Sequence, residues 1–236
     1  MIPTTLSLII PVYNEEAVLE KNLKILSDYL SSLPVIENFE IIICDDGSTD
    51  RTGQILDQPT ANSQQLIALH SYPSRHIGRA KKAGLEKAKM EYVMTYAIDL
   101  PFGLEIIERS LQAAQAHPKT FILGSKSHPQ SQVMVPPSRK IMSKIFNYLL
   151  HLLYHLPVRD SQGTALFPRQ ALEKILPHLT AQTDFLQAQL LVFAKATGYQ
   201  LLEIPVTYIK PQAKSKFTFL FHALPMFWEL IAGCGS

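Results

Sequence analysis

FEIIICDDGSTD, residues 39–50, begins as a nearly unbroken apolar run and ends as a cluster of turn-forming residues. A short apolar run closed by Asp-Asp-Gly-Ser predicts a buried strand that feeds a loop at its carboxyl end. The pattern recurs on both sides. Upstream, Leu6–Val12 (LSLIIPV) predicts a second buried strand, and Asn14 stands where it would cap a helix with Glu15 and Glu16 at the positive end of its dipole. Leu19, Leu23, Leu26, Leu30 and Leu33 give that helix one apolar stripe, and Pro34 stops it. Downstream, the pattern predicts a short helix over 52–56, a strand over 66–70 and a helix at Gly78–Lys89 with a small-residue face (Ala80, Ala83, Gly84, Ala88). A strand at Tyr92–Ile98, a helix at Leu104–Ala116 and a strand at Phe121–Gly124 follow. Strands alternating with helices imply βαβ units: an α/β chain with a mainly parallel sheet and helices on both faces. In such sheets ligands bind beyond the carboxyl ends of the strands. This order puts Asn14, Asp45, Asp46 and Asp99 there.

The second half is less regular. Lys126–Pro137 is polar and proline-bearing, which predicts a surface loop, and Ser138 is placed to cap a long helix at Arg139–His155. Further helices are expected at Gln170–Leu176 and Phe185–Thr197, with a strand at Leu201–Tyr208. At 236 residues the chain can bury a sizeable core without metals or disulfides, and 47% apolar against 18% charged residues excludes a disordered protein. The net charge of +2 hides an asymmetry. Residues 1–125 carry 11 Lys/Arg against 15 Asp/Glu, a balance of −4, whereas residues 126–236 carry 11 against 5, a balance of +6. A basic second half suits phosphate or a membrane surface. Cys44 and Cys234 match no metal spacing and suggest two thiols in a reducing compartment. Met1–Leu8 lacks the basic start of a signal peptide, and the uncharged stretches Ile145–Val158 and Phe217–Trp228 fall short of the ~20 residues that span a bilayer.

Each polar motif has a plain alternative: Asn-Glu-Glu after a strand also serves as a helix cap, and Asp-Asp-Gly-Ser-Thr-Asp as a turn. Adjacent carboxylates at a strand end repel one another unless a ligand or cation uses them. Such carboxylates accept hydrogen bonds from ribose hydroxyls or a base N–H, and Asp99 could hold a divalent ion against a diphosphate.

Together the segments resemble the family-two glycosyltransferases of the GT-A fold, a Rossmann-related architecture. The matching pieces are IIPVYNEE (9–16), IIICDDGSTDRT (41–52), HIGRAKKAGLEKA (76–88), GSK (124–126), SRKIMSKIFNYL (138–149), RDSQGTALF (159–167), GYQLLEIPVTY (198–208) and KSK (214–216). The later pieces are similar to those of dolichyl- and polyprenyl-phosphate mannose or glucose synthases. The resemblance implies a GT-A-like domain over residues 1–210, nucleotide-binding in 1–125 and acceptor-binding in 126–210, followed by an amphipathic membrane-proximal tail over 211–236. It implies an inverting transfer from a UDP- or GDP-linked sugar to a polyprenyl or dolichyl phosphate. No nucleic-acid partner is expected. Pro11, Val12, Tyr13, Asn14, Glu15, Asp45 and Asp46 would line the nucleotide pocket. Asp99 would hold Mg²⁺ or Mn²⁺, and Lys126, Arg139, Asp160 and Gln162 would border the reaction centre with it.

The departures are specific. Where the family has Asp-Ala-Asp-Leu-Gln, residues 97–101 read Ala-Ile-Asp-Leu-Pro, and Gln187 and Gln189 replace both acids of a later Phe-Asp-x-Glu-Leu segment. A sugar hydroxyl acceptor needs a general base. A lipid phosphate is already an anionic nucleophile, so the departures favour that acceptor. The alternative is a non-catalytic binding module built on the same fold. Phe217–Trp228 is uncharged with five aromatics and follows Lys210, Lys214 and Lys216. A helix packed on the core is one reading of it. The other is an interfacial segment, with Pro225 kinking or breaking any straight helix, and it implies a cytoplasmic protein held peripherally at the membrane.

Overall fold

The computed structural model describes residues 2–58, 65–71, 76–134, 136–208 and 224–232, with the side chains of 137–139 left out. In chain order the strands are β1 (Thr4–Val12), β2 (Ile36–Asp45), β3 (Leu66–His70), β4 (Tyr92–Thr95), β5 (Thr120–Ser125), β6 (Gln132–Val133), β7 (Thr164–Pro168), β8 (Gln200–Pro205) and β9 (Thr207–Tyr208). The helices are α1 (Leu19–Ser32), α2 (Thr52–Leu56), α3 (Ile77–Lys87), α4 (Glu105–Ala116), α5 (Pro137–Tyr154), α6 (Arg169–Ile175), α7 (Phe185–Ala196) and α8 (Leu224–Ala232).

Seven strands form one sheet in the order β3-β2-β1-β4-β7-β5-β8. Every pairing is parallel except the two made by β7, which runs antiparallel to β4 and β5. The short β6 and β9 pair apart from it. Strand alternation sends Leu8, Ile10, Ile41 and Ile43 to one face, against α1 and α4, and Ile9, Ile42 and Cys44 to the other, against α3 and the helices α5–α7. Two apolar layers on one mainly parallel sheet are the α/β arrangement expected. Gly84 explains the small-residue face of α3: a β-carbon there would collide with the Cys44 sulfur and lie 2.8 Å from Ile9 Cγ2. Burial pushes the Cys44 thiol up to about 12, so it stays protonated and inert.

Three local expectations need correction. Asn14 does not cap α1, which starts five residues later at Leu19 with Glu20 in its first turn. The side chain of Asn14 is committed elsewhere, as described below. Second, α5 begins at Pro137, so Ser138 falls inside its first turn. Third, Pro225 breaks nothing: α8 begins at Leu224, and proline is tolerated in a first turn, where no intrahelical partner awaits its missing N–H. Residues 217–223 of the predicted interfacial segment lie outside the described residues, as do Lys210, Lys214, Lys216 and Cys234. The inner face of α8 docks on the core, with Leu230 fully buried and the Phe227 ring edge-on to Phe146 at 5.5 Å.

Candidate active site

Strand order reverses at β1, which has β2 on one side and β4 on the other, the place where open α/β sheets bind ligands beyond their carboxyl ends. Val12 is level with Asp45 across β1–β2, and Asp45 with His70 across β2–β3. Beyond these ends two loops are stitched together. Asn14 takes a left-handed φ of 55°, which asparagine tolerates, and its side-chain oxygen accepts from the Thr49 N–H at 2.7 Å and the Asp50 N–H at 3.3 Å. Its own N–H donates to Ser48 Oγ at 2.9 Å, and the Glu15 N–H to Thr52 Oγ1 at 2.8 Å. Glu16 accepts from the Arg51 N–H at 3.0 Å. The Asn-Glu-Glu motif is thus a clamp on the Gly47–Thr52 turn, and Gly47, at φ 74°, supplies the left-handed step that starts it.

Asp45 and Asp46 sit inside this clamp, 0% and 4% exposed. One Asp45 oxygen accepts from the Ser48 N–H at 3.0 Å and the other lies 3.3 Å from His70 Nδ1. His70 Nε2 in turn lies 3.3 Å from Asp57 Oδ1. Asp46 accepts from the His76 N–H at 3.0 Å, just before α3. Each member of the acidic pair therefore has its own donor, which offsets the repulsion of neighbouring carboxylates.

Asp99 lies in the loop after β4. Leu100 next to it holds φ 52°, uncommon for leucine, and its N–H closes a turn onto the Ala97 carbonyl at 3.1 Å. Asn22 of α1 donates to the Ile98 carbonyl at 2.8 Å, and the Tyr96 hydroxyl to the Gly103 carbonyl at 2.6 Å. Burial, with the nearby Glu105 and Asp99 charges, raises the Tyr96 pKa well above the usual phenol. No group of three or more potential metal ligands occurs among the described residues. One carboxylate fits Mg²⁺ or Mn²⁺ only as a shared ion that completes its shell with diphosphate oxygens and water.

The antiparallel β7 brings the second half to the same edge: its start, not its end, meets the carboxyl ends of β4 and β5. Lys126, just past β5, places its ammonium 3.0 Å from Asp160 Oδ2 and 3.1 Å from the Gln162 carbonyl. Asp160 is fully buried and also accepts the backbone N–H groups of Lys126, at 2.8 Å, and Gln162, at 3.1 Å. The Lys126 ammonium also lies 5.4 Å from the centre of the Phe102 ring, in the loop that carries Asp99. That contact joins the two halves. Pro11, Val12 and Tyr13 line the end of β1; Arg139 opens α5, its side chain outside the described residues.

Sequence reasoning missed His70, Phe102 and Glu203, which accepts from the N–H groups of Arg159 and Asp160 at 3.1 and 3.0 Å. A histidine closing a strand beside Asp45 was the one available signal; Phe102 and Glu203 come from distant segments that only the topology brings in. Gln189 is satisfied, accepting from the Thr180 and Ala181 N–H groups at 2.9 Å each. Gln187 is buried with neither amide atom partnered.

Comparison with known proteins agrees with this geometry. The family described as glycosyl transferase family 2 matches residues 7–176. Glycosyltransferase AglD of Haloferax volcanii is 26% identical over 211 residues, 89% of this chain and 34% of that protein. Dolichyl-phosphate beta-glucosyltransferase ALG5A of Trichomonas vaginalis is 26% identical over 211 residues, 86% of this chain and 65% of that protein. The chain thus spans about a third of one relative (34%) and just under two thirds of the other (65%). A UDP-N-acetylglucosamine–dolichyl-phosphate N-acetylglucosaminyltransferase of Methanococcus voltae is 26% identical over 219 residues, 86% of this chain and 84% of that protein. Among solved structures, glucosyl-3-phosphoglycerate synthase of Mycobacterium tuberculosis with Mn²⁺, UDP and phosphoglyceric acid superposes with a TM-score of 0.65 at 16% identity, over 97% of this chain and 76% of that one. The Pyrobaculum calidifontis mannosyltransferase PcManGT with GDP-Man and Mn²⁺ gives 0.60 at 18% identity, over 99% of this chain and 66% of that one. A mainly parallel sheet in the GT-A arrangement and a family match over residues 7–176 lead to one conclusion: this chain belongs to glycosyl transferase family 2 and resembles its polyprenyl-phosphate sugar synthases.

Proposed function

We propose that the protein transfers a sugar from a UDP- or GDP-linked donor to a polyprenyl or dolichyl phosphate, with inversion, at a membrane surface. The observation that carries this reading is the division of charge at one sheet edge. Buried carboxylates, Asp45 and Asp46, sit on the β1–β2 side, and a lysine ammonium, Lys126, sits on the β5–β7 side with the Asp99 loop against it. The carboxylates suit the hydroxyls and N–H groups of a nucleoside. Two of the three Lys126 N–H directions go to Asp160 and Gln162, leaving a third for a phosphate oxygen. In the step itself a lipid phosphate oxygen attacks the anomeric carbon while the bond to the nucleoside diphosphate breaks and the diphosphate departs with the electron pair. The attacking oxygen is already anionic, so no proton has to move, consistent with amides at 187 and 189. Asp99 would hold Mg²⁺ or Mn²⁺, which would neutralise the departing diphosphate.

The alternative, a binding module that retains the nucleotide without turnover, draws on Ala97, which stands where the family's Asp-x-Asp motif has its first acid. A thermal-shift screen with UDP, GDP and their sugars, with and without Mg²⁺ or Mn²⁺, followed by product assay with a short polyprenyl phosphate, separates the two. A donor-dependent rise in midpoint is expected, because stabilisation grows as RT ln(1 + [L]/Kd). Asp45→Ala should remove that rise. Binding without product across all donors would favour the module, and an unaltered response in Asp45→Ala would overturn the nucleotide site.

The membrane placement rests on α5 and α8. No described helix is long and apolar enough to cross a bilayer. Nevertheless Ile141, Ile145, Tyr148 and Leu152, at helical spacing, expose one face of α5, and Leu224, Trp228 and Ile231 one face of α8. Exposed Lys140 and Lys144 flank the first stripe. Apolar and aromatic residues edged with lysines match an anionic lipid surface.

A further inference from the structure

We infer that Glu229, on the C-terminal helix α8, is a positioning residue for the nucleotide-donor site, an inference that rests on the donor-site reading above. The only acid on α8, Glu229 is half-buried and turns toward residues 182–183. Its carboxylate accepts from the Gln182 N–H at 2.9 Å, the Thr183 N–H at 3.3 Å and the Thr183 hydroxyl. That hydroxyl accepts from the Phe185 N–H at 3.1 Å, at the start of α7. Residues 180–183 belong to no helix or strand. Two side chains hold them: Gln189 at one end and Glu229 at the other.

The segment they hold packs against the start of α3. The Gln182 carbonyl accepts from the Gly78 N–H at 2.9 Å, in the first turn of α3. A β-carbon on Gly78 would lie 2.6 Å from the Gln182 carbonyl carbon, so α3 and this segment touch backbone to backbone with no room between. Two residues before Gly78, the His76 N–H donates to Asp46 at 3.0 Å. A continuous line of short contacts therefore runs from Glu229 through 182–183 and the start of α3 to one of the two carboxylates proposed to bind the nucleotide. Lys81 of α3 adds a parallel link, 3.8 Å from Asp184. Removing the Glu229 carboxylate takes the shared acceptor from three donors and frees the segment from α8. Gly78 and the partner of Asp46 move with it.

The test is calorimetric titration of the full chain with UDP and with GDP, each with Mg²⁺, well below the unfolding midpoint. Glu229→Ala should weaken nucleotide binding about five- to tenfold, within the usual range of coupling between sites. Thr183→Val, which removes one of the donors, should fall between it and wild type, and carries the same test if Glu229→Ala fails to fold. Tyr154→Phe is the control. It cuts a different tie of α8, the 2.8 Å bond from the Tyr154 hydroxyl to the Leu230 carbonyl, and should lower the midpoint without changing nucleotide affinity. In a Gly78→Ala background, Glu229→Ala should add no further loss, because both act on one contact. Wild-type affinity in both Glu229→Ala and Thr183→Val, or an equal loss in Tyr154→Phe, would overturn the inference while leaving the donor site standing. If the wild-type chain binds neither nucleotide, the donor-site reading itself falls and takes the inference with it.

Discussion

Gln187 shows how a single side chain can carry a cost that the fold alone does not explain. It sits in the first turn of α7, 3% exposed, with both amide atoms unpartnered, while Gln189 two residues on spends its amide on the Thr180–Ala181 backbone. An unanswered buried polar group costs about 1–3 kcal/mol, so a residue kept there for stability alone would be apolar. A carboxylate at the same place would cost more still, which fits the amide standing where family relatives have an acid. Gln187→Leu, nearly isosteric, is expected to raise the urea midpoint and to lower sugar transfer. Stability and activity would then move in opposite directions. A variant that is less stable than wild type would show that the amide is satisfied in the folded protein, and one that gains stability at full activity would show that the amide has no role in transfer.

At the scale of elements, the sequence displayed the helices and most strands because apolar periodicity is local, and it hid what depends on partners. Asn14 has the composition of a helix cap; it became a loop clamp because Thr49 and Asp50, over thirty residues away, compete for its oxygen at 2.7 and 3.3 Å. Thr164–Phe167 closes the RDSQGTALF match, yet nothing in so short a run reports that Thr164–Pro168 is a strand lying antiparallel between β4 and β5. That direction is what brings Asp160 and Gln162 beside Lys126, so the second half of the site was legible by resemblance and not by pattern. The Asp99 loop belongs to this scale too. Its backbone is fixed by Asn22, Leu100 and Tyr96, so a carboxylate added at half-buried Ala97 meets a preset turn. Pro101 is buried, and a glutamine there would bury an amide, so the informative variant is Ala97→Asp alone. It should enlarge the difference in nucleotide affinity measured with and without Mn²⁺, by adding an oxygen ligand. No enlargement would mean that the loop has been rebuilt around a different arrangement of the diphosphate.

For the molecule as a whole, the proposed transfer would set the nucleotide in the acidic first half and the acceptor phosphate in the basic second half, and the exposed apolar faces of α5 and α8 belong to the basic half. The two helices touch through Phe146 and Phe227 and through the Tyr154–Leu230 hydrogen bond, so a lipid surface could engage both stripes together. A helix that served only to close the core would have no reason to leave Trp228 73% and Ile231 70% exposed beside a fully buried Leu230. Deleting α8 would not test this, because it would also uncover the core and release Glu229. Surface substitutions separate the two roles. Trp228→Ser with Ile231→Ser, and Tyr148→Ser with Leu152→Ser, remove only outward apolar groups. Lys140→Glu with Lys144→Glu reverses the flank. Co-sedimentation with phosphatidylserine-containing liposomes should be strong at low salt for wild type and weaker in 0.5 M salt, as expected when the Debye length shrinks to about 4 Å. Each lysine contributes ~1 kcal/mol toward an anionic leaflet, so neutralising both would already lower partitioning about thirtyfold, and reversing them further. The serine pairs should reduce binding at both salt concentrations, because they remove apolar contact and not charge. If all three variants and the wild type remain equally in the supernatant, these faces do not meet lipid, and the acceptor must reach the site as a dispersed molecule.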